Sequence, residues 1–280
     1  MTGDPVGAWR AKGEFFEFRG HRIFTRSEGS GDTMLLVHGF PTASWDWSPL
    51  WSPLAARYRV LTLDMLGFGF SAKPRPFAYE LTTQADLFEA LLERHGVTSY
   101  RLFAHDYGVS VALELLARGA RIERLCFLNG GLFPEAHHPA LIQRLLASPV
   151  GPLIARLSSY RVFARSMRRI WGKTPPADED LRSMWQLVTE SDGLAVMPGL
   201  IDYLRQRRQH RERWVNALLT ATIPVRLING LVDPIAGASI VARYRELVPT
   251  PDIVELADVG HYPQVEAPDR VLAAALEFFQ

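Results

Sequence analysis

One cysteine in 280 residues leaves no partner for a disulfide, so packing alone must hold the fold. Cys126 lies inside the apolar run Leu125-Cys126-Phe127-Leu128 and reads as a buried, inert thiol. No apolar run reaches the roughly 18 residues that a membrane-spanning helix needs, and residues 1–12 contain no basic stretch leading into an apolar one. A soluble, cytoplasmic protein is expected, without stable membrane insertion. Excess charge of one sign is also missing: 31 Lys or Arg against 30 Asp or Glu leaves +1, which gives nucleic acid or an acidic polymer no global field to meet. His137-His138 has no partner at metal-ligand spacing, so no metal is expected. Gly67-Phe68-Gly69-Phe70-Ser71 lacks the third glycine and the following helix of a dinucleotide fingerprint, and no cofactor is expected either. What is present, 48% hydrophobic and 22% charged residues, suits one large domain or a core with an insertion.

Strand and helix patterns alternate along the chain. Residues 15–18 and 22–25 read as a hairpin, and 34–37, 60–63, 100–104 and 125–128 as short, buried strands bounded by turn residues. Helical periodicity separates the later ones at 48–57, 83–94 and 109–118. This β-α-β rhythm predicts an α/β fold with a mostly parallel, doubly wound sheet. It stops after Asn129-Gly130-Gly131 and resumes with strands at 224–228 and 253–256 and a closing helix at 269–279. Between them, residues 132–222 carry 13 Lys or Arg against 8 Asp or Glu, a net of +5, while the remainder carries 18 against 22, a net of −4. The expected organisation is a core of residues 1–131 and 223–280 with a helical lid inserted at 132–222.

Leu102-Phe103-Ala104-His105-Asp106-Tyr107-Gly108 places an acid on a strand-to-helix turn with a small residue two positions before and after it. That is the layout of a G-x-S-x-G nucleophile elbow with Asp in place of Ser; a plain helix cap is the competing account of Asp106. Other strand ends carry matching groups. The turn His38-Gly39-Phe40-Pro41 can aim the Phe40 N–H at the elbow, giving an oxyanion hole with the N–H of Tyr107. Asp233 follows one late strand and His261 the last, so nucleophile, acid and histidine occur in the order that α/β-hydrolases use.

The chain resembles the α/β-hydrolase superfamily, specifically the Asp-nucleophile branch of epoxide hydrolases and haloalkane dehalogenases, over residues 15–279. Within that branch it is similar to the mesoderm-specific transcript proteins of animals. Carrying the match are Leu66-Gly67-Phe68-Gly69-Phe70-Ser71, Lys73-Pro74-Arg75-Pro76, His105-Asp106-Tyr107-Gly108, Phe133-Pro134-Glu135, Arg213-Trp214-Val215 and His261-Tyr262-Pro263-Gln264. The chemistry follows from the residues. An ionised Asp106 attacks a saturated carbon without a base, and the resulting ester is hydrolysed by water that His261, oriented by Asp233, activates. The resemblance implies more about the leaving group. Dehalogenases place Trp after the nucleophile, where this chain has Tyr107; Trp185 or Trp45 would have to substitute. Epoxide hydrolases use lid tyrosines, and Gly199-Leu200-Ile201-Asp202-Tyr203-Leu204-Arg205 resembles their G-L-x-x-Y-x-R segment, nominating Tyr203 as proton donor with Tyr160 as a candidate second. Trp185, Tyr160 and His105 are expected to line the substrate.

The leading expectation is therefore a hydrolase that opens a small apolar epoxide to a diol with water. A dehalogenase, a cofactor-free oxygenase and a non-catalytic ligand-binding protein are the alternatives. In the insertion, Leu153, Leu157, Tyr160, Ala164, Met167 and Trp171 recur at helical spacing. One amphipathic helix covering a pocket is expected there, with a membrane-surface helix as the alternative. The run from Arg205 to Arg213 is expected to be a solvated helix face, open to a second copy of the chain in a homodimer and not to nucleic acid.

Overall fold

Segments of five to eight residues, too short for stable helices, assemble into one eight-stranded sheet in the computed structural model, which describes residues 3–280. The strands are β1 Glu14–Phe18, β2 His21–Glu28, β3 Thr33–Val37, β4 Arg59–Leu63, β5 Tyr100–His105, β6 Ile122–Leu128, β7 Val225–Gly230 and β8 Asp252–Leu256. Their spatial order is β1-β2-β4-β3-β5-β6-β7-β8. β1 and β2 form the expected antiparallel hairpin, β2 meets β4 antiparallel, and every other pairing is parallel. Leu102 lies between Leu35 and Leu125 in register, and all three are fully buried, as strands covered on both faces require. The order reverses at β3, whose chain-order successor β4 lies on one side and β5 on the other, so the loops after β3 and β5 flank the crevice where open α/β sheets bind ligands.

Helices α1 Pro5–Ala11, α2 Ser48–Ala55, α3 Leu81–Arg94 and α4 Tyr107–Ala117 precede the insertion; α1 has no counterpart among the sequence expectations. Between β6 and β7 there is no strand, only α5 Leu141–Leu146, α6 Gly151–Arg156, α7 Tyr160–Ile170, α8 Asp178–Thr189, a 3₁₀ segment Glu190–Val196, α9 Met197–Leu200, α10 Tyr203–Gln209 and α11 Arg211–Leu219. α12 Ala238–Leu247, α13 Pro263–Glu266 and α14 Pro268–Phe279 complete the chain. α4 packs against α3 and α11, and α2 against α14, burying the sheet. Among the described residues no helix is long and apolar enough to cross a membrane; of the leader stretch, Met1 and Thr2 lie outside them.

The single amphipathic helix expected across 153–171 is two. α6 stops at Arg156, and Ser158 turns its hydroxyl back onto the Ile154 carbonyl at 3.0 Å, a local bond that competes with helix continuation. Ser159 is extended and starts α7 afresh. The apolar face divides with it: Ala164, Met167 and Trp171 are buried, whereas Leu153 and Leu157 face solvent.

Candidate active site

Asp106 stands between β5 and α4 with φ +44°, a conformation that costs a non-glycine residue energy and persists only where the surroundings impose it. Its side chain makes no capping bond to α4, so the helix-cap account does not hold. The tight turn depends on Gly108, since a Cβ there would sit 2.6 Å from the carbonyl oxygens of Val37 and His38. The carboxylate is fully buried. Oδ2 accepts the Phe40 N–H at 3.1 Å and faces His261 Nε2 at 3.8 Å, and Oδ1 lies 3.4 Å from Arg207 Nη2. Tyr107 opens α4, where helix geometry leaves the backbone N–H without an intrahelical partner.

His261 and Asp233 meet directly. The Nδ1–H of the imidazole donates to Asp233 Oδ2 at 2.7 Å, and the same carboxylate accepts Asn129 Nδ2 at 2.9 Å and the N–H groups of Ile235 and Ala236 at 2.8 and 3.1 Å. The His261 loop is tied to the inserted helices, because its own N–H donates to the Ile170 carbonyl at 2.8 Å. Burial alone would strip His261 of its proton, but the carboxylates of Asp233 and Asp106 on either side push it up to about 10. Burial likewise opposes ionisation of Asp106, and the His261 imidazolium and Arg207 guanidinium outweigh it, holding the carboxyl well below the usual range. The resting arrangement is therefore an imidazolium between two carboxylates.

Beside Asp106, the ring of Tyr203 packs against Tyr107 and Phe40 with centroids 5.2 and 5.8 Å apart. Its hydroxyl accepts Gln143 Nε2–H at 3.0 Å, which leaves the phenolic proton free to donate. Burial, then the Asp106 charge, drives the phenol far above its ordinary value and keeps it protonated. A cavity of about 800 Å³ begins at Phe40, Gln143 and His261 and runs outward between α5 and α7. Trp185 lines it and stacks at a tilt on Phe163.

Asp106 and Tyr203 are fully buried behind the inner wall of this cavity, which they meet through Phe40, His261 and Gln143. Three other residues expected near the substrate lie further off. Tyr160 starts α7 on the outer surface, its hydroxyl bound to the Asp178 carboxylate at 2.5 Å in a cluster with Arg168 and Arg182. His105 is fully buried outside the cavity wall and donates its Nε2–H to the His261 carbonyl at 2.7 Å, so it supports the histidine loop. Trp45 is buried in the turn Ser44–Trp47, also outside the cavity wall.

The basic run after Asp202 is a correction of a different kind. Arg207, expected on a solvated face, is 2% exposed. Its guanidinium donates to the Asp106 carbonyl at 2.8 Å, to Ser110 Oγ at 2.7 Å and to His137 Nε2 at 3.2 Å, and it covers the Tyr203 ring at 4.4 Å. His137, pushed down to about 3 by burial and by Arg207, is neutral and can accept that bond. Arg205, Arg211 and Arg213 are taken up by Asp202, Glu135 and Glu114. Arg207, Gln143 and Asn129 were missed as site residues. A signal existed for Arg207, which falls four residues after Tyr203 and so shares its helix face.

Residues 34–275 match the alpha/beta hydrolase family. The chain is 40% identical over 290 residues to the mesoderm-specific transcript homolog protein of Homo sapiens, covering 97% of this chain and 87% of that protein. It is 27% identical over 285 residues to haloalkane dehalogenase 2 of Mycobacterium bovis, covering 100% of this chain and 98% of the other. Among solved structures, the epoxide hydrolase CorEH superposes with a TM-score of 0.79 at 21% identity, over 95% of this chain and 98% of that one, a likeness of fold.

Proposed function

The chain belongs to the alpha/beta hydrolase family, and from that premise we propose that it is a cofactor-independent hydrolase that opens an apolar epoxide to a diol through an ester on Asp106. In this reading residues 132–222 form a lid over a core of 1–131 and 223–280, and the enzyme works in the cytoplasm, a setting that suits its lone buried thiol.

An Asp106 carboxylate oxygen attacks an epoxide carbon, the carbon–oxygen bond breaks, and the leaving oxygen takes the Tyr203 proton. Esterification removes the Asp106 charge that helps to hold the proton on His261. The imidazolium then yields its proton to make good the one Tyr203 gave. Now neutral and still bonded to Asp233, His261 takes a proton from water, which attacks the ester carbonyl carbon. The N–H groups of Phe40 and Tyr107 stabilise the oxyanion, a contribution of about 10²- to 10³-fold per donor in other enzymes. Ester cleavage passes the second proton of that water from the Asp106 carboxyl to the departing alkoxide, which releases the diol, leaves Asp106 a carboxylate and leaves His261 protonated for the next cycle.

The observation that carries the reading is Tyr203, a phenol kept protonated beside Asp106 with its proton uncommitted. Proton demand agrees. Opening an epoxide consumes one proton, which the His261 imidazolium can replace once Asp106 is esterified, whereas expelling halide exchanges one anion for another and calls for no proton donor. The similarity to haloalkane dehalogenase 2 favours that second reading, but Tyr107 packs between Phe68 and Tyr203 and offers no indole N–H. Incubation of His261→Gln with an epoxide panel and with chloro- and bromoalkanes separates the two. An adduct with the full mass of an epoxide is expected on the Asp106 peptide; alkylation by haloalkanes alone would transfer the reading to dehalogenation.

A further inference from the structure

The outer end of the cavity departs from the rest of the surface. Five of the six large hydrophobic side chains that the described surface exposes fall between residues 141 and 162: Leu141, Val150, Leu153, Leu157 and Val162, from 46% to 68% exposed. Leu141 on α5 and Val162 on α7 also line the cavity, so they stand at its mouth. On the same side of α7, Arg161, Arg165 and Arg169 recur at intervals of four, line the cavity, and border an adjoining surface groove shared with Arg168. The sequence reinforces this. Between Glu135 and Asp178 there is no acidic residue, while six Arg and one Lys give the segment +7 in a chain whose net charge is +1. Among the described residues Arg144, Arg156, Arg161, Arg165 and Arg169 have no carboxylate within 4.0 Å, whereas in the neighbouring run Arg208 alone lacks one and Arg205, Arg207, Arg211 and Arg213 are paired.

We infer that this mouth is a docking surface for an anionic lipid bilayer, with Leu153 of α6 and Leu157 just after it entering the interface and the arginines of α7 lying among the head groups. Water alone explains neither half, since clustered aliphatic side chains without cover mark a contact surface and unpaired arginines of one sign call for anions. Two copies of the chain meeting through this face would bring two +7 segments together, so charge complementarity favours lipid over self-association. The combination of apolar side chains with a basic face is that of interfacial helices, and the anionic cytoplasmic leaflet supplies the complementary potential. The cavity opens where an apolar substrate would leave the bilayer, and Ile170, at the end of the arginine helix, is bonded to His261. Docking is independent of the reaction at Asp106, so it can be tested without turnover.

Full-length protein is mixed with vesicles of phosphatidylcholine containing about 30 mol% phosphatidylglycerol, and with phosphatidylcholine alone, at low salt, and bound protein is separated by flotation. Binding to the anionic vesicles only is expected, released by about 0.5 M salt. Arg165→Glu with Arg169→Glu should weaken it at least twentyfold, at about fivefold per neutralised charge. Leu153→Asp with Leu157→Asp, both outside the cavity wall and solvent-exposed, should abolish binding while leaving the circular dichroism spectrum and turnover of a water-soluble epoxide unchanged. Wild-type protein that stays unbound, binds both vesicles equally, or binds undiminished with the two aspartates overturns the inference. So does a dimer in sedimentation velocity that those aspartates dissolve, since the face would then be a contact between copies.

Discussion

Replacing Asp106 by Asn keeps the shape of the side chain and removes one of the two carboxylates that face His261. The magnitude follows from the geometry. Oδ2 and Nε2 are 3.8 Å apart, and at an effective dielectric of about 20 the attraction lost is about 4 kcal/mol, or about three pKa units. The imidazole, raised to about 10 in the intact site, should titrate near neutrality in Asp106→Asn. The same loss of charge accompanies ester formation, so the variant imitates the state in which His261 must act as a base. The His261 ring nitrogens can be followed by long-range nitrogen–proton NMR between pH 5 and 11, with His261→Gln supplying the assignment. Stability gives a second readout with a definite sign. The folded value lies above the unfolded one of 6.5, so the contribution of His261 is complete below pH 6.5 and is lost as pH rises through about 10. In the variant that loss should move down to about pH 7. An imidazole that still titrates near 10 in Asp106→Asn would refute the reasoning, because Asp233 alone would then hold the proton and esterification could not release it.

Tyr203→Phe should lower kcat on epoxides by about 10²- to 10⁴-fold, the usual contribution of a positioned acid, and cost about 1–3 kcal/mol of stability for the Gln143 amide left without its acceptor; an unchanged kcat would remove Tyr203 from the reaction. Arg207→Met should destabilise the protein by about 3–5 kcal/mol, since it leaves the Asp106 carboxylate, its carbonyl and Ser110 without their buried cation. Urea denaturation checks this, and a loss under 1 kcal/mol would mean the ion pair is idle. The pH profile of kcat/KM on an epoxide should fall on the alkaline side near 10, where the imidazolium is lost, and hold on the acid side to well below the ordinary carboxylate range. An acid limb near 6.5 would contradict the imidazolium resting state.

Where local sequence fixes local structure, the fold could be read directly. β3, β5 and β6 are apolar runs closed by His38-Gly39, by Asp106 and by Asn129-Gly130, and no helix of useful length fits between such punctuation. The strand-end positions of Asp106, Asp233 and His261 follow from that, since a parallel sheet brings the ends of its strands to one edge. Arg207 was hidden because five arginines within nine residues look solvated on composition, and only the packing of α10 on the elbow separates the buried one from its neighbours. Tyr160 failed in the opposite sense. Its spacing put it on the apolar face of one long helix, but two consecutive serines end α6 and leave Tyr160 at a helix start beside Asp178. His105 adjoins the nucleophile in sequence, yet side chains alternate across a strand, and its ring turns back toward the His261 loop.

The covalent step at Asp106 is the claim on which the proposed chemistry stands, and a single turnover in heavy-oxygen water tests it most directly. With enzyme in excess over an epoxide, water attacks the ester carbonyl, so the account predicts the heavy isotope in the Asp106 carboxylate, seen as added mass on its peptide, and an unlabelled first diol. Heavy oxygen in the diol with none on Asp106 would contradict it, because water would then have attacked the epoxide carbon itself.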